Sequence, residues 1–77
     1  MRKSYSQRIL SFLLEQEMKN ENAVFNTQVA KRRFRNVSDV DGSVMRRARE
    51  LASNKMLKRT NNGYTLTAKG RRVAIFN

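Results

Sequence analysis

The strongest local signal in this chain is a change in the spacing of its apolar residues after residue 54. Before it, apolar residues recur about every 3.6 positions, the period of helices that bury one face. After it the period is about two, and the pair Asn62-Gly63 supplies the positive φ angles that tight hairpin turns require. The sequence therefore predicts a mainly α fold with a small β-hairpin at residues 56–67, within the α+β class.

The first predicted helix covers residues 5–19, and either Ser4 or Ser6 can cap it. Its apolar stripe is wide enough to make this helix the main pillar of the core. The residues expected to face inward are Tyr5, Ile9, Leu10, Phe12, Leu13, Leu14 and Met18.

A second helix is predicted over residues 27–35, with Asn26 as its N-cap. The apolar run 23–25 before it can form a short strand. The residues of the second helix expected to face inward are Val29, Ala30 and Phe34.

A third helix is predicted over residues 39–54, and its start has two interpretations. Ser38 with Asp41 fits a capping box. Asp41 alone is the cap if the helix starts later, because Gly42 weakens a first turn by up to about 1 kcal/mol. The residues expected to face inward are Val40, Val44, Ala48, Leu51 and Ala52.

A last helical segment is predicted over residues 68–76, with Thr67 as its cap. Its final residues, 73–76, are unusually apolar for so polar a chain. They either complete the core against the first helix, which we expect, or form a contact between two copies. Because no linker or internal repeat interrupts the chain, residues 1–77 are expected to form one domain.

The charge balance indicates the class of partner. Seventeen Lys and Arg residues against six Asp and Glu give a net charge of +11, which favours polyanions, nucleic acid first among them. Ten of the cations and three of the anions lie within residues 26–60. This region is therefore the expected nucleic-acid surface, whereas residues 1–25 are a nearly neutral scaffold.

The absence of His and Cys removes most catalytic and metal chemistry. Zinc sites and thiol nucleophiles are excluded, so we expect neither an enzyme nor a cofactor. Asp39 and Asp41 are interpreted as candidate helix caps rather than metal ligands. No apolar run approaches the about 20 residues that cross a bilayer, so no membrane partner is expected and a cytoplasmic location is the default.

Three segments carry a resemblance to a known family. They are Phe25-Asn26-Thr27-Gln28-Val29-Ala30, then residues 44–51 followed by 55–59, and then Tyr64-Thr65-Leu66-Thr67-Ala68-Lys69-Gly70-Arg71. In this order they resemble the winged helix-turn-helix domain of bacterial regulators, especially the multiple-antibiotic-resistance regulator type. They resemble, in turn, its supporting helix, its recognition helix running into the wing, and its returning wing strand.

The resemblance implies a three-helix core with a two- or three-stranded wing, and a small transcription regulator that binds double-stranded DNA sequence-specifically. The third helix would enter the major groove beside the wing. The oligomeric state stays open, with a homodimer or a protein partner as candidates, and no small-molecule ligand is expected; a phage or mobile-element regulator is the nearest analogy. Two residues depart from the family pattern. Met56 replaces a usual Gly, which predicts an altered turn, and Ala48 replaces a usual Leu, which predicts a shallower core contact.

Helix geometry gives an independent expectation for the face that meets DNA. At 100° per residue, the inward residues of the third helix share one sector, and the opposite face presents Arg side chains that can pair with guanine. Solubility is the competing interpretation, because a solvated face carries Arg outward too. The candidate base contacts are Ser43, Arg46, Arg47, Arg49 and Glu50.

A second set of residues is expected to contact the DNA backbone, where cations neutralise phosphates without reading sequence. A solvated helix face and a simple hairpin turn are the competing interpretations. The candidates are Thr27, Gln28, Lys31, Arg32, Arg33 and Arg35 on the second helix, and Lys58, Arg59, Asn61 and Asn62 on the hairpin.

The alternative function is a winged-helix module that binds a protein partner or RNA within a replication, packaging or transcription complex, because fold does not determine function. A polar third-helix face favours nucleic acid, whereas an exposed apolar patch there would favour protein. Phe25 and Tyr64 are expected in the core, because single-strand binders usually display several aromatics on one sheet.

Overall fold

The computed structural model describes residues 4–19 and 23–76, and the fold is mainly helical with one antiparallel hairpin. In chain order the elements are α1 (Tyr5–Lys19), α2 (Thr27–Arg33), α3 (Val40–Ser53), β1 (Leu57–Thr60), β2 (Gly63–Leu66) and α4 (Ala68–Phe76). The predicted mainly α fold with a small hairpin is therefore confirmed.

Short polar side chains start three of the helices. At α1, the Gln7 amide donates to Ser4 Oγ at 3.2 Å, and the Ser4 amide donates to Gln7 Oε1 at 3.0 Å. Asn26 and Thr67 cap α2 and α4, and each side-chain oxygen accepts from an amide three residues on at 3.0 Å. These caps satisfy amides that no carbonyl of the helix can reach, so they determine where each helix begins.

The start of α3 differs from both versions predicted for its first turn, but the interpretation of Asp39 as a helix cap is confirmed. Asp39 Oδ1 accepts from the Gly42 amide at 2.9 Å, so neither Ser38 paired with Asp41 nor Asp41 alone is the N-cap. A Cβ at position 42 would overlap the Asp39 carboxylate. Gly42 therefore leaves room for the Asp39 carboxylate. Although glycine weakens the first turn of α3, the cap at Asp39 stabilises that turn.

Helices α2 and α3 are shorter in the structure than the sequence predicts. The second ends at Arg33 rather than at residue 35, because Phe34 leaves helical geometry, with φ of −120° and ψ of 57°. Its ring lies in the core, where the residue is 3% exposed. The third occupies Val40–Ser53 rather than 39–54, since the first and last predicted residues serve as its caps.

Aromatic rings packed edge to face connect α1, α2 and the segment between them. Phe25 is fully buried, and its ring centroid lies 6.1 Å from that of Phe12 and 6.3 Å from that of Phe34. Phe34 also packs against Tyr5 at 5.5 Å. Each such pair contributes about 0.5–1.5 kcal/mol beyond the burial of its area. The predicted core position of Phe25 is confirmed.

One backbone bridge joins the hairpin to the segment before α2. Tyr64 on β2 is 7% exposed, as predicted for a core residue, and exchanges two backbone hydrogen bonds of 2.8 Å with Phe25. The strand predicted at residues 23–25 is therefore a single bridge rather than a strand. The sheet itself contains β1 and β2 only, among the residues that the structure describes.

The hairpin turn uses its glycine differently from the prediction. Thr60 pairs with Gly63, which leaves Asn61 and Asn62 as the two turn residues. Gly63 has a φ of 138°, whereas neither Asn has a positive φ, so the pair Asn62-Gly63 does not supply two such angles. A Cβ at position 63 would lie 2.5 Å from the Phe25 carbonyl oxygen. Glycine therefore also permits the close approach of the hairpin to the bridge.

The turn that follows α3 is left-handed at Lys55. The Lys55 amide donates to Ala52 O at 3.1 Å and the Met56 amide donates to Leu51 O at 2.9 Å, the two bonds of a Schellman motif. Lys55 has a φ of 68°, the only positive value at a non-glycine residue within 4–19 and 23–76. An altered turn was expected at Met56, and the left-handed conformation lies one residue earlier, at Lys55.

Helix α4 is held in place by a close backbone approach and an ion pair. A Cβ on buried Gly70 would overlap the Met56 carbonyl oxygen, so α4 approaches the turn after α3 as closely as glycine permits. Arg71 donates from Nε and Nη2 to the Glu17 carboxylate at 2.8 and 3.1 Å. This hydrogen bonding and the carboxylate charge raise the pKa of Arg71. The ion pair joins α4 to the end of α1.

Three apolar side chains predicted or proposed for the core lie at the surface instead. Met18 is 82% exposed, because five residues at about 100° each turn it about 140° away from buried Leu13. The first two residues of the run 73–76 pack against the core, but Ile75 and Phe76 are 64% and 82% exposed. The expected core contact therefore holds for half of this run.

None of the helices in the described ranges has the length and apolar content needed to cross a membrane.

Candidate nucleic-acid interface

Helix α3 has an apolar face in the core and a polar face in solvent. Its fourteen residues begin after the Asp39 cap, and every one of its large apolar side chains is buried. The buried residues are Val40, Val44, Met45, Ala48 and Leu51. Ala48 is fully buried despite its small size, and Met45 is a core residue that the helical spacing did not predict.

Four of the five candidate base contacts line one surface hollow. The α3 residues around it are Gly42, Ser43, Arg46, Arg47 and Glu50. Tyr5 of α1 completes the lining, although the sequence assigned it to the core alone. Arg49 is exposed on the same helix but lies outside this hollow. The structure therefore brings the polar face of α3 together with the first turn of α1.

The charges on this face are only partly paired. Arg47 Nη1 lies 3.1 Å from Glu50 Oε2, and both side chains are about half exposed, at 51% and 50%. A pair as exposed as this contributes about 0.2–1 kcal/mol at most. Arg46 and Arg49 form no ion pair with any residue of the described ranges. Their guanidinium donors are therefore the ones available to an anion or a base edge.

The cations predicted to contact the backbone from the second helix have different neighbours. Lys31 lines a hollow with Asp39 and Asp41, whose charges oppose its own. Arg35 borders this hollow too. A different hollow, toward α1, is lined by Arg32, Arg33 and Arg35. The predicted cluster is thus divided between an acidic side next to α3 and a basic side next to α1.

Helix α1 contributes a cation that the sequence analysis missed. Arg8 lines the hollow that the three arginines share, and its guanidinium carbon lies 4.3 Å from the centre of the Phe34 ring. Arg33 stacks similarly on Phe12, at 4.8 Å. Arg8 meets Phe34 only through the tertiary fold, so no local sequence pattern reveals the contact.

The hairpin candidates lie at the other end of α2. Asn62 O accepts a hydrogen bond of 3.0 Å from Asn26 Nδ2, so the hairpin turn is tied to the start of α2. Each hairpin strand has only four residues. The candidates at this end are Thr27, which is partly buried, and the exposed residues Gln28, Lys58, Arg59, Asn61 and Asn62.

The chemistry that this surface offers is hydrogen-bond donation to anions from exposed arginines. Within the described ranges, no group of three or more acidic side chains is placed to hold a metal ion, and Asp39 serves as a cap. The arginines can pair with phosphate oxygens or with the acceptor edge of guanine.

No family model, no curated protein and no solved structure matches this chain.

Proposed function

We propose that this chain is a winged helix-turn-helix domain that binds double-stranded DNA sequence-specifically, as a small transcription regulator. The observation that carries the proposal is the outward face of α3. It presents Arg46 and Arg49 without ion-pair partners in the described ranges, on a helix whose opposite face is buried. A rigidly held helix with exposed arginines suits the major groove.

The order of the elements supports the winged-helix part of this proposal. Helix, bridge, helix, helix and hairpin follow one another, and the bridge at Phe25 pairs with the returning strand β2. Helices α2 and α3 pack against each other, as a helix-turn-helix requires. In this proposal the short hairpin formed by β1 and β2 is the wing.

In this mechanism α3 lies in the major groove and its arginines read base edges. Arg46 and Arg49 donate to O6 and N7 of guanine, a pairing that discriminates by about 1–3 kcal/mol against a wrong base. Glu50 holds Arg47 in place and is also an acceptor for a cytosine amino group. The cations of α2 and the hairpin add affinity without sequence choice, because they contact phosphates.

The test is selection from a random duplex library, followed by sequencing of the bound fraction. An enriched sequence that is lost with Arg46→Gln, and kept with Arg72→Gln on α4, supports base reading by α3. A chain that retains duplexes without any enrichment contradicts sequence-specific binding. An enriched palindrome would also reveal a symmetric dimer on the DNA.

A protein partner within a replication, packaging or transcription complex is the second candidate. The exposed apolar pair Ile75 and Phe76 at the end of α4 favours it, because isolated apolar ends are costly to leave in water. The same pair suits a contact between two copies. Sedimentation of the wild type and of Phe76→Ser distinguishes these cases, since only a contact between copies makes the purified chain a dimer that the substitution dissociates.

A further inference from the structure

Four arginines from α1, from α2 and from the turn after it surround one hollow, and we call this group the arginine surface. Its members are Arg8, Arg32, Arg33 and Arg35, and all are exposed. The rest of the lining is neutral, with Phe34, Asn36 and Val37. None of the four forms an ion pair within residues 4–19 and 23–76. Like charges gathered in this way repel one another, and a bound polyanion relieves the repulsion.

Two members of the arginine surface are held by the core. Arg8 lies 4.3 Å above the centre of Phe34, and Arg33 lies 4.8 Å above that of Phe12. Both rings pack edge to face against fully buried Phe25, so the supports belong to the interior. A guanidinium over an aromatic ring is restrained by the cation–π attraction, and its N–H groups can still form paired bonds to an oxyanion. Such ordering before binding lowers the entropy lost on binding.

Tyr5 connects the arginine surface to the outward face of α3. Its ring packs against Phe34, the ring that also supports Arg8, and its side chain lines the hollow that contains Arg46 and Arg47. Tyr5 and Arg8 are three residues apart, so they are neighbours on one face of α1. Tyr5 and Arg8 therefore place the hollow of α3 and the hollow at the end of α2 on either side of the first turns of α1.

The arginine surface is separate from the hairpin contacts. The hairpin turn is tied to Asn26 at the start of α2, whereas Arg33 ends that helix. Seven residues at 1.5 Å each separate the two ends by about 10 Å. The arginine surface and the hairpin are therefore two flanks of one α2–α3 unit, and the sequence assigned flanking contacts to α2 and the hairpin alone.

We infer that the arginine surface binds the phosphate backbone of the same duplex whose groove receives α3, with Arg8 as a contact from α1. The inference rests on the proposed function. An arginine fork pairs with phosphate and with carboxylate alike, so what favours the phosphate backbone over an acidic protein is the position of these arginines beside the outward face of α3. Proximity to α3 through Tyr5 places this backbone next to the groove.

The experiment is a salt titration of binding to a random-sequence duplex. Arg32→Gln/Arg35→Gln removes two charges that stack on no ring, so folding is preserved, and Arg72→Gln is the control, because Arg72 is an exposed cation of α4 without an ion pair in the described ranges. The slope of log K against log salt falls by about 0.9 for each phosphate that the protein no longer neutralises. We expect a reduction of about 1.8 for the first variant and about none for the control. Arg8→Gln alone should reduce the slope by about 0.9.

The outcomes separate the inference from the proposed function. If the wild type binds the duplex and the arginine variants keep its slope, the arginine surface is not a phosphate site, although DNA binding stands. Equal reductions in the α4 control would show that diffuse charge is responsible, which also overturns the inference. If the wild type itself does not bind duplex DNA, the proposed function fails, and this inference fails with it.

Discussion

The two faces of α3 differ in what they contribute: the buried face positions the helix by apolar packing, and the outward face presents charged groups to solvent. On the buried face, Val44 and Ala48 are fully buried and Leu51 is 5% exposed, so packing determines where the helix lies. On the outward face, Arg46 and Arg49 have no ion-pair partner in the described ranges and contribute little to that position. The side chains that place the helix are therefore not those that would meet a partner, and substitutions should affect stability and binding separately.

The largest expected effect comes from the buried face, with Leu51→Ala. Truncating a buried Leu costs about 2–5 kcal/mol, because apolar burial is reduced and a cavity is left behind. A chain of 77 residues has about 4–12 kcal/mol of stability in total, at about 0.05–0.15 per residue. Urea unfolding followed by circular dichroism measures the loss. A loss below about 1 kcal/mol would mean that this face does not position α3.

The outward face should show the reverse pattern with Arg49→Ala. The free energy of unfolding is expected to stay within about 0.5 kcal/mol of the wild type, as for other exposed sites. Binding to an enriched duplex should weaken by about 1–3 kcal/mol if Arg49 pairs with a base. Fluorescence anisotropy with the enriched and a scrambled duplex separates base reading from charge, because loss of charge weakens both duplexes equally.

The end of α3 offers a gain in stability through Lys55→Gly. A non-glycine residue in the left-handed conformation costs about 1–2 kcal/mol. Glycine avoids this cost, but it loses more conformational entropy on folding, which offsets part of the gain. We expect Lys55→Gly to be about 1 kcal/mol more stable than Lys55→Ala, in thermal or urea unfolding. The two variants lose the same charge, so their difference isolates the backbone angle. Equal stabilities would contradict a left-handed Lys55.

The smallest expected effect is that of Glu50→Gln. The half-exposed pair with Arg47 contributes little, so stability should change by less than about 0.5 kcal/mol. Random-sequence DNA should bind more tightly by about 0.5 kcal/mol, the interaction of unit charges about 8 Å apart in water. Glu15→Gln is the matched control, because Glu15 forms a similarly exposed pair with Lys19 on α1. An equal gain in the control would assign the effect to net charge alone.

Local signals were sufficient where a residue acts on its own neighbours in sequence. Asn26 and Thr67 cap α2 and α4 as predicted, since a cap reaches an amide three residues away. The first turn predicted for α3 was wrong, although Asp39 was among the candidate caps. Ser38, Asp39 and Asp41 all suit a cap, and the path of the preceding turn selects among them. Phe34 ends α2 early for a similar reason, since its ring packs in the core.

The candidate interface shows the same division. Helical spacing alone places Arg46 and Glu50 away from the apolar stripe of α3, and both are exposed. The acidic neighbours of Lys31 could not be predicted, because they depend on how α2 and α3 meet. Arg8 was missed because its ring contact, Phe34, lies beyond α1 at the end of α2.

The sequence by itself determined the order of helices and hairpin, most of the caps, the apolar face of α3 and the concentration of charge in residues 26–60. These features depend on spacing along the chain, which local geometry converts directly into structure. Only the tertiary structure decided which cations share a surface, which of them stack on core rings, and which apolar side chains stay exposed. Such features depend on contacts between elements far apart in sequence, and packing of the whole core sets those contacts.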